Sequence, residues 1–94
     1  MNDDIIKKFE TDAVAFGAMY ILPDGRMLDL SMLENGHAEF WKMANCSTEE
    51  LRSIGWLRLN TILKYVELPQ NPTEEQRERL QTVFNTFGND FQIK

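Results

Sequence analysis

The 94-residue chain is short of several things, and each shortage narrows what it can do. It has one cysteine, Cys46, so no internal disulfide can form, and a Cys-rich zinc centre lacks its ligands. It has one histidine, His37, which leaves imidazole-based catalysis a single candidate. Its five glycines are scattered singly, with no Gly-x-Gly-x-x-Gly and no Gly-Lys-Ser/Thr, so no phosphate-cradling loop is present. No apolar run approaches the length of a membrane span, because the longest, Ala13 to Tyr20, is already broken by Gly17. Asn2-Asp3-Asp4 offers no basic leader, so a cytoplasmic protein is expected. Positive charge is also scarce: 10 Lys and Arg stand against 15 Asp and Glu, a net charge of −5. That balance disfavours phosphate backbones and anionic lipid and suits a basic partner.

What is present is an ordinary globular balance, 43% hydrophobic and 27% charged, enough for one core. We therefore expect a single domain over residues 1–94. Ile5, Ile6 and Phe9 recur at helical spacing behind acidic residues, predicting a helix within residues 1–12. Phe16 to Leu22 is aromatic and branched and stops at Pro23-Asp24-Gly25, where proline presets a turn and glycine supplies a positive φ. Met27 to Leu30 would return as the second strand of a hairpin.

Asn35-Gly36 breaks the chain again, and His37, Phe40, Trp41 and Ala44 then take i, i+3, i+4, i+7 spacing, the mark of a helix face. Ser47-Thr48-Glu49-Glu50 and Thr73-Glu74-Glu75-Gln76 are capping boxes that open two further helices. Between them, Trp56 to Asn60 and Lys64 to Leu68 read as a second hairpin with a turn at Asn60, Thr61 and Ile62. Leu80, Val83, Phe84 and Phe87 give the last helix its apolar side, Gly88 ends it, and residues 89–94 fit either an edge strand or a frayed tail. The expected fold is α+β: a small antiparallel sheet of about four strands in two hairpins, with helices packed on one face. The expected core is Phe16, Ile21, Leu28, Trp56, Leu57, Val66, Leu80, Val83, Phe84 and Phe87, and it needs no cofactor or metal.

Chemistry-bearing patterns mostly fail on inspection. His37-Ala38-Glu39 has the His-x-Glu spacing of zinc deaminases, but the downstream Pro-Cys-x-x-Cys is missing. A small hydrolase could be assembled from His37, Asp29 and either Ser31 or Cys46, though no Gly-x-Ser-x-Gly elbow supports it. The carboxylate pairs Asp3-Asp4, Glu49-Glu50 and Glu74-Glu75 all fall at helix starts, where the macrodipole explains them. Arg52, Arg58 and Lys64 interleave with Trp56 and Tyr65, the one basic-aromatic pattern in the chain. With a net charge of −5 this pattern fits a protein contact better than RNA. Trp, Tyr and Arg are the common anchors of interfaces, so the candidate binding residues are Trp56, Arg58, Tyr65 and Glu67, with His37 and Trp41 as outlying candidates.

Taken together, Gly17, Leu22-Pro23-Asp24-Gly25, Leu28, Asp29 and Ser31, His37, Gly55-Trp56-Leu57-Arg58-Leu59, Val66-Glu67-Leu68, Pro72-Thr73, Gln76 and Leu80 resemble a phage-associated module. That module recurs in large polyvalent proteins of phages and conjugative elements and as short free-standing phage proteins, and the likeness spans roughly residues 13–87. It implies a context, a mobile genetic element in a bacterial cell, and carries over no catalytic residue. The reading expected from all of this is a non-catalytic acidic protein that binds a larger protein, in its sharpest form a stoichiometric inhibitor of a host defence nuclease resembling an anti-CRISPR. The alternatives are a self-associating phage accessory module and, behind it, a hydrolase using His37.

Overall fold

A computed structural model describes residues 2–33 and 37–94, without the side chains of Asn2, Leu33 and His37. The turn expected at Asn35-Gly36 lies outside the described residues. Among the described residues, four α-helices, a 3-10 turn and four short strands follow one another: α1 Asn2–Ala15, β1 Ala18–Ile21, the 3-10 turn Leu30–Leu33, α2 His37–Asn45, α3 Thr48–Ser53, β2 Leu57–Asn60, β3 Tyr65–Glu67, α4 Glu74–Phe87 and β4 Gln92–Ile93. The fold is α+β with a four-stranded sheet in the order β1-β2-β3-β4. β1 and β2 are antiparallel, as are β2 and β3, while β4 joins parallel to β3, so the sheet is mixed rather than wholly antiparallel.

Strand alternation sorts the side chains onto two faces. Met19 opposes Leu59, which opposes Val66, and Ile21 opposes Leu57. These five form one apolar cluster with Leu80 and Val83 of α4 and Phe91. Ala18, Tyr20 and Trp56 belong to the other cluster, with Ile5 of α1, Phe40 and Met43 of α2, and Leu51 of α3. Helices therefore cover both faces of the sheet, not one. Phe9 meets Phe40 edge-on at 5.4 Å, tying α1 to α2, and Tyr20 meets Trp56 at 6.0 Å, tying β1 to the residue that enters β2.

The first expected hairpin is mostly absent. Its turn forms as read: the Gly25 N–H reaches the Leu22 carbonyl at 2.9 Å, and Gly25 sits at φ +87°. The returning arm, however, pairs with β1 only through the isolated bridge Ile21–Met27. At Asp29 the chain turns away: its carbonyl accepts the Met32 N–H and its carboxylate accepts the Ser31 hydroxyl, winding the 3-10 turn. β2, distant in sequence, takes the long pairing with β1 instead.

Both capping boxes are present, Ser47 with Glu50 and Thr73 with Gln76. α1 runs further than expected, to Ala15. Phe16 and Phe87, expected in the core, are exposed, whereas Ile21, Leu28, Trp56, Leu57, Val66, Leu80 and Val83 are buried. On α4 the buried stripe is Gln76, Leu80 and Val83. One buried position of that stripe is thus polar.

That polar position joins three turn motifs. Gln76 is fully buried, and its amide donates to the Leu22 carbonyl at 3.2 Å and to the Gly55 carbonyl. Its oxygen accepts the Thr73 N–H at 3.0 Å, and the Thr73 hydroxyl donates to the Pro23 carbonyl at 2.9 Å. Gly25 packs so closely on the start of α4 that a Cβ there would come within 2.9 Å of the Glu75 backbone oxygen. Leu-Pro-Asp-Gly, Gly-Trp and Pro-Thr-x-x-Gln are separate in sequence and meet at one junction in space. Each supplies what the others need to close the junction.

Candidate binding surface on β2 and β3

Arg58, Tyr65 and Glu67 come together. Arg58 is opposite Glu67 in the β2–β3 register, and Tyr65 is two residues along β3 on the same face. The Arg58 guanidinium donates to the Tyr65 hydroxyl at 3.3 Å and lies 3.7 Å from Glu67 Oε2. Lys94, just beyond β4, places its ammonium 4.2 Å from the centre of the Tyr65 ring. All three β2–β3 side chains are half-buried, because α1, α2 and α3 cover this sheet face on the β1 side.

Burial works against the charge on Arg58, but Tyr20, Tyr65 and Glu67 more than offset it and hold its pKa above the ordinary value. The cation is therefore permanent. Glu67 Oε2 is shielded from solvent and has no hydrogen-bond partner, since 3.7 Å to Arg58 is too long for one. A shielded carboxylate oxygen held by charge alone costs stability.

Beside the row lies a groove of about 320 Å3 lined by Lys8, Asp12 and Phe16, by Cys46, Ser47 and Thr48, and by Tyr20 and Arg58. Arg58 thus lines this groove as well as standing in the row. A larger cleft, about 630 Å3, opens elsewhere between the Asp24–Met27 turn, the 3-10 turn and α4. Asp29 and Ser31 line it, with the serine hydroxyl donating to the aspartate. Cys46 faces the other groove, so the cysteine and the Asp29–Ser31 pair do not share a site.

Of the other candidates, Trp56 is only 2% exposed and packs in the core against Tyr20, which removes it from the contact surface. Trp41 is exposed on α2, an element outside the β2–β3 pairing. The side chain of His37 lies outside the described residues, and with it the His37-based hydrolase. The basic residues of the basic-aromatic pattern are engaged internally. Arg52 donates to the Leu68 carbonyl at 2.8 Å, and Lys64 donates to the Phe87 carbonyl and lies 3.8 Å from Asp90. The three carboxylate pairs do sit in the first turns of α1, α3 and α4. Among the described residues, no group of three or more His, Cys, Asp or Glu could hold a metal, and no helix is long and apolar enough to cross a membrane.

Sequence reasoning missed the exposed apolar side chains around this surface, above all Ile62 and Leu63 in the β2–β3 turn. The available signal was two large apolar residues where a hairpin turn is usually polar. Compared with known proteins, the chain matches no family model, no curated protein and no solved structure.

Proposed function

We propose that this chain is a non-catalytic binding module that acts by contact with a larger protein through the Arg58–Tyr65–Glu67 row. The observation that carries the reading is the row itself: a permanent cation, an aromatic ring and a poorly satisfied carboxylate fixed by strand pairing and left half open. Tyr and Arg are frequent anchors of protein interfaces, and a rigid sheet spares them the entropy of being ordered on binding. A net charge of −5 steers the chain towards a basic surface of its partner. The resemblance to a phage-associated module supplies the context proposed with it, in which the partner is a host effector and the outcome a stoichiometric block.

The test is capture of partners by the tagged chain from bacterial lysate, in parallel with the Tyr65→Ala and Arg58→Ala double variant. The reading expects a protein retained by the parent chain at one-to-one ratio and lost with the variant, whose fold is checked by circular dichroism. Retention unchanged by the double variant refutes this surface.

A further inference from the structure

We infer that the groove bordered by α1, β1 and α3 binds a small carboxylate with a short apolar body, the carboxylate held by Arg58. This goes beyond the proposed contact with a larger protein, because the occupant is a small molecule and, apart from Arg58, the groove lies outside the Arg58–Tyr65–Glu67 row. At about 320 Å3 the groove is at the lower end of the range for small-molecule sites.

The sheet and helices build it together. Strand alternation puts Ala18 and Tyr20 of β1 on the same sheet face, and Arg58 stands opposite Tyr20 in the β1–β2 register. Ala18 brings only a methyl group to the groove, while Met43 and Leu51, both buried, add apolar surface to it. Phe16 lines the same space and is 58% exposed, so a phenylalanine that the core leaves out is available to an apolar ligand body. Polar groups converge there as well. Tyr20, only 6% exposed, reaches the groove beside Arg58. Ser47 Oγ accepts the Glu50 N–H at 3.1 Å and keeps its own proton to donate, and Thr48 adds a second hydroxyl.

Arg58 selects the ligand. A guanidinium carries five N–H donors in a planar fork whose geometry matches a carboxylate. Tyr65 accepts one of them at 3.3 Å, Tyr20 is placed to accept another, and Glu67 Oε2 at 3.7 Å is too far to accept any, so donors remain for a ligand. A neutral ligand leaves those half-buried donors without a charged acceptor, and a cation is repelled. Charge also limits how much the groove takes. Lys8 is already held by Asp12 at 3.3 Å, which leaves Arg58 to meet the ligand, and Glu67 stands near it. One such cation suits a single negative charge rather than a phosphate dianion.

The experiment is an amide NMR titration of the full chain with benzoate, with benzamide and inorganic phosphate at pH 8 as the neutral and dianionic comparisons. Benzoate should saturate at millimolar concentration, shifting the amides of residues 16–20, 46–51 and 58 first. It should also slow alkylation of Cys46, which lines the groove, by iodoacetamide. Benzamide and phosphate should bind at least tenfold more weakly. Arg58→Met should weaken benzoate at least tenfold and leave benzamide unchanged. Phe16→Ser, at an exposed side chain, serves if Arg58→Met misfolds and should weaken benzoate and benzamide alike. A parent chain with no saturable response to benzoate overturns the inference. So does benzamide or phosphate binding as tightly as benzoate, a response centred on the larger cleft at residues 24–31 and 75–82, or Cys46 alkylation unchanged at saturating benzoate. Because Phe16 lies outside the row, Phe16→Ser leaves partner capture as in the parent, and a failed titration leaves that contact to be judged separately.

Discussion

Replacing Gln76 with leucine keeps the side-chain volume while removing every hydrogen bond its amide makes at the junction of the three turns. Gln76 is fully buried, so water cannot replace what is lost. The Leu22 carbonyl keeps one partner, the Gly25 N–H at 2.9 Å, and losing the second costs about 0.5–1 kcal/mol. The Gly55 carbonyl loses a close donor, worth about 1–3 kcal/mol for a shielded group left unsatisfied. The Thr73 N–H loses the reciprocal half of its capping box, about 1 kcal/mol. The total is about 2.5–5 kcal/mol, against a stability of roughly 5–14 kcal/mol for a chain of this length. For a domain this small the loss lowers the melting temperature by about 15 °C or more. Urea titration read by the fluorescence of the buried Trp56 measures it, with Gln70→Leu on the exposed surface as the control, expected within about 0.5 kcal/mol of the parent. A Gln76→Leu loss below about 1 kcal/mol refutes the junction as a principal support of the fold.

Gly25→Ala should cost about 2 kcal/mol or more, because it combines a φ of +87° with a Cβ pressed against the Glu75 backbone, and a lowered urea midpoint at unchanged slope would show it. Trp56→Ala should destabilise by about 3–5 kcal/mol as a core truncation; a variant as stable as the parent would place Trp56 at the surface after all. Asn60→Ala should cost about 1–2 kcal/mol and speed amide exchange at Ile62 and Leu63, whose N–H groups lose their acceptor, and unchanged exchange rates contradict this. Arg58 has a raised pKa, so the stability it carries is complete below the pKa of an unfolded arginine and is lost only as pH rises through the higher folded value. The stability gap between the parent and Arg58→Met should accordingly be flat from pH 6 to 9, and a gap that closes within that window is the contrary result.

Elements with local causes were legible in the sequence. The two capping boxes, the Pro23-Asp24-Gly25 turn and the pairing of β2 with β3 depend on residues a few positions apart, and each formed where it was read. Long-range partnerships were not legible. Met27 to Leu30 has strand composition, yet β1 pairs along its length with β2, and the returning arm keeps one bridge. Parallel addition of β4 likewise depends on where Phe91 finds its core, not on the Gln92-Ile93 pair itself. Trp56 shows the same limit: alternation placed it on the face of Arg58, correctly, but could not reveal that α2 and α3 bring Phe40, Met43 and Leu51 over that end of the face. Arg58, Tyr65 and Glu67 were readable because strand register alone unites them. Ile62 was read as a turn residue and Leu63 was passed over, since exposure depends on what the rest of the chain leaves uncovered.

The proposed contact surface is tested most directly by hydrogen–deuterium exchange of the chain, free and in the complex captured by the tagged protein. The account predicts slowed exchange on binding across β2 and β3, residues 57–60 and 65–67, with little change in residues 24–31 and 75–82 around the larger cleft. Protection concentrated in that cleft, with β2 and β3 exchanging as in the free chain, contradicts it.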